Sequence, residues 1–342
     1  MKALIFTMKI IWLSQLFLVG SFLQSHSQDL FQTEGEIDFD NYTINDGLSN
    51  NFITSIFQDH IGIMWIGTQN GLNRFDAKQF HVFKNRHDDT NSISSNFIIA
   101  MQEDKQGNLW VVTTAGIDMF DPFTGQFKKV IRRYELPQHR KITTLKIYDD
   151  ILLAGTNAGL LKWNLLSGEI SSQTANIYLS DKYITAIEMY KDSLLLIGTI
   201  KGAYLLNKYA LNKNHNFKAN DVRLILADTI NCFFIDQHNK IFAGTNNGAY
   251  IIQNDSIIVN HHSYKGDDRS LWKYVAGISA DSKDQIWFAT NSNIQSGLFK
   301  YNVTSEDFTR YVYDEQNSKS LKWNYCTCIL RDHSNGIWIG TS

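Results

Sequence analysis

The residues best equipped for recognition chemistry stand in two short segments. They are Trp272-Lys273-Tyr274 and Lys322-Trp323-Asn324-Tyr325. Aromatic faces stack on sugar rings, and lysine and asparagine hydrogen-bond hydroxyl or carboxylate groups. An oligosaccharide would suit that combination. The same side chains would equally pack against a neighbouring domain or cap a core, and residue type alone leaves the three open. Trp272, Lys273, Tyr274, Trp323, Asn324 and Tyr325 are therefore the candidate ligand-binding residues.

Other chemistry is thinner. "DHSNG" at Asp332–Gly336 and "DKQGN" at Asp104–Asn108 have the opening of a calcium loop. Both lack the further carboxylates and the distal glutamate that such a loop needs. "GTNNG" at Gly244–Gly248 lacks the lysine of a phosphate loop. His261-His262 has no partner in view and reads as a solvated loop. No zinc-protease pair, nucleophile elbow or dinucleotide fingerprint occurs. No catalytic residue, metal or cofactor is implied. The three cysteines, Cys232, Cys326 and Cys328, are too few and odd in number for a disulfide framework. Cys326 and Cys328 are two apart, so a regular strand would turn both to one side. All three read as small buried hydrophobes.

The chain has 342 residues, 43% of them hydrophobic, with 32 basic and 34 acidic side chains. Nothing in that near-cancellation suggests a polyanion or nucleic-acid binder. The 13% aromatics and only 2 prolines argue against disorder. Residues 1–27 read as a secretory signal peptide: Lys2 and Lys9, an apolar run over Ile10–Val19, then Ser25-His26-Ser27. No cysteine follows the run to carry a lipid anchor, and no later segment could span a bilayer. Residues 28–36 read as a linker.

The elements that must position the candidate residues come from a repeat. Thr68, Thr113, Thr156, Thr199, Thr245, Thr290 and Thr341 recur at intervals of 43 to 51 residues. Three residues before each stands a large apolar residue: Trp65, Trp110, Leu153, Leu196, Phe242, Trp287 and Trp338. Three after the first five stands glycine, and the sixth unit delays it to Gly297. Nine before, five units carry aspartate: Asp59, Asp104, Asp236, Asp281 and Asp332. Each unit reads as four short strands with turns between them and no helical periodicity. A period near 45 built from such sheets predicts an all-β fold, a seven-bladed β-propeller over residues 37–342. Ile37–Ile44, "IDFDNYTI", matches the fourth-strand phrase "EDFTRYVY" and predicts a closure strand for the last blade. That blade would be incomplete, its third-strand phrase being absent, as in a fragment. The repeated apolar residue would pack between blades, the threonine hydroxyl would satisfy a buried backbone group, and the glycine would turn the chain.

"DGLSNNFITSIFQDHIGIMWIGTQNGLNRFD" and "NSISSNFIIAMQEDKQGNLWVVTTAGIDMFD" resemble the two-component regulator propeller repeat. That repeat is typical of the periplasmic sensor region of hybrid two-component sensor histidine kinases in Bacteroidetes-type bacteria. The resemblance runs from about Ile37 to Ser342 and is weaker in units three and four, which lack both the aspartate and the tryptophan. It implies a role as the N-terminal periplasmic sensing propeller, an oligosaccharide ligand and control of glycan-utilisation genes. It implies as partners a second propeller and an immunoglobulin-like β-domain of the same full-length chain, with a homodimer at full length. The kinase would lie outside these residues. The rival readings are a propeller lyase or glycosidase, a sensor ahead of a diguanylate cyclase, and a secreted scaffold.

Overall fold

The structure, a computed structural model, describes residues 37–342 except 137–139, 168–169, 172–178, 180–181, 212–220, 254–255, 261–272, 293–295, 303 and 306. The expected signal peptide and linker, the His261-His262 pair and Trp272 lie outside the described residues.

Each complete repeat folds as an antiparallel four-stranded meander. In the first, Ile53–Gln58 pairs with Met64–Thr68, which pairs with Gly71–Phe75, which pairs with Phe80–Phe83. The second strand is buried on both faces, which explains its unbroken apolar run "MWIGT". Six such blades are present, and a two-stranded sheet, Cys326–Arg331 with Ile337–Thr341, follows them. The expected seven blades are thus six, plus one half-sized sheet.

The first strands are the innermost. Those of the six blades and of the two-stranded sheet pack in succession, and the last packs on the first. The apolar core accordingly lies in the seams. Trp65, for example, packs edge-on against Phe120 of the next blade, and Trp110 against Trp163.

The seams are set by one recurring fit. The residue before each repeated threonine is glycine in five units, and the first residue of the next blade's inner strand presses onto it. A Cβ added to Gly67 would stand 2.7 Å from Ile98 Cγ2. At Gly155 it would stand 2.7 Å from Ile184 Cγ2, and at Gly198 2.7 Å from Ile230 Cγ2. Gly244 meets Val275 in the same way. Gly340 of the two-stranded sheet meets Ile53 of the first blade at 2.8 Å, so this fit also closes the ring. Thr327 Oγ1 adds a hydrogen bond to the Ile53 carbonyl, 2.6 Å, and the His333 amide donates to Gln58 Oε1, 2.7 Å.

In the six blades the repeated threonine is buried and donates to the carbonyl of its glycine, at 2.8 Å for Thr68 to Gly71 and 2.7 Å for Thr156 to Gly159. Gly71 itself sits at φ 138°, which a side chain would strain. The repeated aspartate shapes the hairpin between first and second strands. Asp332 Oδ1 accepts the amides of Ser334 and Gly336, and Oδ2 accepts the Trp338 indole at 2.7 Å. Asp104 does the same with Gln106, Asn108 and Trp110. Both calcium-like loops therefore spend their carboxylate on their own turn.

Two expectations need correction. Cys326 and Cys328 do not share a face. A bulge follows the first residue of the inner strand, so Cys326 packs with Ala289 and Leu298 while Cys328 packs with Ile53 and Met64. All three thiols are free, and burial pushes them up, Cys232 and Cys326 to about 12 and Cys328 to about 11. Second, Ile37–Ile44 is not a strand. Residues 37–43 carry no ladder and Ile44–Asp46 form a 3-10 turn. The physical reason is that no third strand stands between this segment and Ile337–Thr341 to pair with it. It is nonetheless held beside the last sheet. Phe39 donates its amide to the Lys319 carbonyl at 2.8 Å, Asn41 Nδ2 reaches the Ser320 carbonyl at 2.9 Å, and Tyr42 stacks on Trp338.

The seam fit makes a measurable prediction. Gly198→Ala should cost about 1–3 kcal/mol by overpacking, and Ile230→Ala about 2–5 kcal/mol by leaving a void. The double variant should cost clearly less than the two together, since each relieves the other. Strict additivity in denaturant melts would refute the fit.

Candidate functional site: the lead-in face of the ring

Each inner strand is approached by a segment lying on one face of the ring. The residue just before the strand is Phe52, Phe97, Lys141, Tyr183, Thr229, Tyr274 or Tyr325. Six of these positions are equivalent in backbone as well as in order. The carbonyl of Phe52 accepts the Gln69 amide, that of Phe97 the Thr114 amide and that of Tyr183 the Ile200 amide. Lys141, Tyr274 and Tyr325 make the matching bonds to Asn157, Asn291 and Ser342. Five of the seven are aromatic, and those five are between 37% and 42% exposed. A buried core position would not leave so many rings in solvent at one register.

Five of the six sequence-predicted residues fall on this face. Tyr274 and Tyr325 belong to the equivalent set. Tyr274 sits at φ 56°, and its backbone amide donates a hydrogen bond to the Asn246 carbonyl at 3.1 Å. Its phenol is pushed up by partial burial first and by the nearby Cys232 and Tyr183 groups second. Tyr183 stands at the same register two blades away. Lys273 is exposed. Trp323 is 54% exposed and stacks on Tyr313 with centroids 6.4 Å apart. Asn324 has a structural duty: its Oδ1 accepts the Tyr313 amide at 2.6 Å. Asn51 and Asn96 hold the Ile44 and Asn85 amides identically. Asn324 therefore clamps the preceding segment, and only its amide nitrogen is left to face outward. Trp272 lies outside the described residues and is not placed.

Phe52, Phe97 and Tyr183 were missed by comparing segments for unusual residues. A sequence signal for them exists. Each stands sixteen residues before its repeated threonine, as Tyr274 and Tyr325 do. The register is hidden because loops of varied length precede it.

One buried carboxylate lies beneath the same face. Asp118 is fully buried, accepts the Ser94 amide at 2.8 Å and accepts the Ser94 hydroxyl. Burial raises its pKa against the lowering effect of those bonds. The first blade has Asn73 there, which holds Ser49 and also donates to the Ile66 carbonyl at 3.0 Å. Asp118 is thus the charged version of a structural asparagine. Among the described residues no cluster of three His, Cys, Asp or Glu could hold a metal.

The repeats and the ring define the class of fold, a β-propeller, and three stretches of it match a known repeat family. The sequence pattern of the family described as "Two component regulator propeller" matches residues 47–70, 92–115 and 320–342. These cover blades one and two up to their threonines, and the two-stranded sheet. A histidine kinase of Formosa agariphila, "Histidine kinase P4", is 43% identical over 54 residues, 16% of this chain and 4% of that protein. Two solved structures are extracellular domains from B. thetaiotaomicron, assigned to a hybrid two component system and to a one component system. The first superposes with TM-score 0.72 at 21% identity, over 90% of this chain and 41% of that one. The second gives TM-score 0.70 at 18% identity, over 90% and 39%. These likenesses show the fold, and the chain spans about two fifths of the length of those extracellular domains. Among the described residues no helix is long and apolar enough to cross a membrane.

Asp118 yields a pH prediction. Its folded pKa lies above the ordinary aspartate value, so its favourable contribution is present in acid and is lost as pH rises through the folded pKa. Asp118→Asn should therefore stabilise the protein at neutral pH by about 1 kcal/mol, gaining the Asn73-type bond as well. The gain should shrink below the ordinary carboxylate range. Melts across pH check it, and destabilisation at neutral pH would contradict it.

Proposed function

We propose that this chain is the propeller of a periplasmic sensor region in a hybrid two-component sensor histidine kinase, and that its lead-in face recognises an oligosaccharide. The observation that carries this reading is the set of five exposed aromatics at one register on one face. Aromatic rings give sugars stacking surface at low entropic cost, and Lys141, Lys273 and the Asn324 amide nitrogen supply polar contacts. The regulator repeats support the sensor assignment, as do the names of the similar extracellular domains. The full-length protein would add a second propeller and an immunoglobulin-like β-domain, would dimerise, and would direct transcription of glycan-utilisation genes. Ligand on this face would bias the packing between domains by its differential affinity for two arrangements. The adjoining domain is a second occupant the face would suit, because so many exposed rings exceed what a solvent-facing loop needs. A lyase or glycosidase has no observation in its favour. Asp118, the carboxylate with a raised pKa, is buried and committed to Ser94.

The two-stranded sheet reads, within this proposal, as the inner half of a seventh blade. Between it and residues 37–45 lies a cavity of about 730 Å³ lined by Ile37, Phe39, Tyr42, Ile337 and Ile339. A strand with the repeat's third-strand pattern would fill it and pair with the free edge of Ile337–Thr341. Appending this chain's own Asn70–Asp76 phrase after Ser342 should raise the melting midpoint. An unchanged midpoint would count against a seventh blade.

The recognition reading is tested in the full periplasmic region by calorimetry with a panel of neutral oligosaccharides. Trp323→Ala and Tyr325→Ala should each weaken binding several-fold, about 1 kcal/mol. Being exposed, both should leave the melting midpoint nearly unchanged. Intact affinity together with a sharply lowered midpoint would overturn the assignment.

A further inference from the structure

The second seam departs from the others twice. Where five units place glycine before the repeated threonine, the second unit has Val112, and Val112 faces Ile142 across the seam. Where Thr143 and Thr327 bond the next blade's first carbonyl, the second unit has Ile99. Neither the close approach nor the bridging hydroxyl is available there. A cavity of about 310 Å³ lies at this seam, opening on the lead-in face.

Its polar lining is cationic. Arg133, Arg140 and Lys141 contribute to the wall with Thr114 and Tyr183, and among the described residues no carboxylate does. Arg140 Nε and Nη1 are buried and have no hydrogen-bond partner. A buried guanidinium left unpaired costs stability, because desolvation is not repaid by bonds. Among the described residues no aspartate or glutamate forms an ion pair with Arg133, Arg140 or Lys141. The positive wall and the two unpaired donors lack their counterpart, and guanidinium N–H groups make strong charge-assisted hydrogen bonds to the oxygens of a carboxylate or sulfate.

We propose that this cavity is an oxyanion site that takes a carboxylate or sulfate group through Arg140, with Arg133 and Lys141 supplying further positive charge. Where the group is carried on a sugar, a uronate or a sulfate ester, the proposal rests on the carbohydrate reading of the lead-in face. Free sulfate tests the site without it.

The experiment uses this chain with sodium sulfate against sodium chloride at equal ionic strength. It adds a uronate-containing disaccharide, a sulfated disaccharide and their neutral parents. Sulfate should raise the melting midpoint beyond chloride. The anionic disaccharides should bind about tenfold tighter than their neutral parents, the strength expected of a charge-assisted pair. Arg140→Met should abolish both differences while leaving the unliganded midpoint equal or higher, since it removes a buried unpaired charge. Lys141→Met, at an exposed position, should weaken sulfate protection and keeps the test open should Arg140→Met not fold. Protection by sulfate alone, lost in Arg140→Met, supports the site while counting against sugar as the carrier. Equal effects of sulfate and chloride would overturn the proposal. So would an Arg140→Met protein that melts lower yet responds to sulfate unchanged.

Discussion

The ring depends on a β-branched side chain pressed onto a glycine across five of its seven seams. A propeller blade is a twisted sheet, and neighbouring sheets must approach closely near the axis while splaying at the rim. Removing the side chain on one partner achieves the approach, and isoleucine or valine on the other fills it with a stiff, well-defined shape. The bulge after that isoleucine follows from the same demand. It turns the first residue toward the preceding blade while the rest of the strand serves its own. Gly340 on Ile53 shows the geometry bringing the last sheet against the first blade without a covalent link.

Much of this was legible in the sequence because the fit repeats. Thr, Gly and Trp at fixed offsets can be counted, and their roles as hydroxyl donor, turn and inter-blade packing follow from burial and backbone accounting. What was not legible has physical causes. The facing of Cys326 and Cys328 depends on a bulge, which a two-residue period cannot show. The strand expected at Ile37–Ile44 has the right pattern, but a strand needs a partner and pattern does not supply one. The aromatic set was hidden by looking for residues that differ between blades. Phe52, Phe97 and Tyr183 resemble ordinary strand-flanking aromatics until their common carbonyl bond and exposure place them with Tyr274 and Tyr325.

The division between repeated and variable positions is also a division of labour within the lead-in segments. Asn51, Asn96 and Asn324 share one position and one backbone duty, so Asn324 holds the loop that carries Trp323 and Tyr325. Rigid support directly beneath exposed rings limits the ordering cost of binding. Tyr313 under Trp323 acts similarly, fixing the indole plane by stacking.

Two seams lack the glycine, and they resolve the crowding differently. In the sixth unit Ala289 replaces it, and the facing residue shrinks to Cys326, so volume is conserved and the seam stays closed. This gives the buried Cys326 a packing reason for its size, and the same burial pushes its thiol up to about 12. In the second unit Val112 replaces it and the facing residue remains Ile142, so volume is added with no subtraction. Close packing cannot absorb that excess in place, and the cavity beside Thr113 and Ile142 lies at that seam. A substitution that merely loosened the ring would be expected to leave an apolar void. This cavity is instead walled by three cations with two guanidinium nitrogens unpaired, a costly arrangement that packing alone gives no reason to keep.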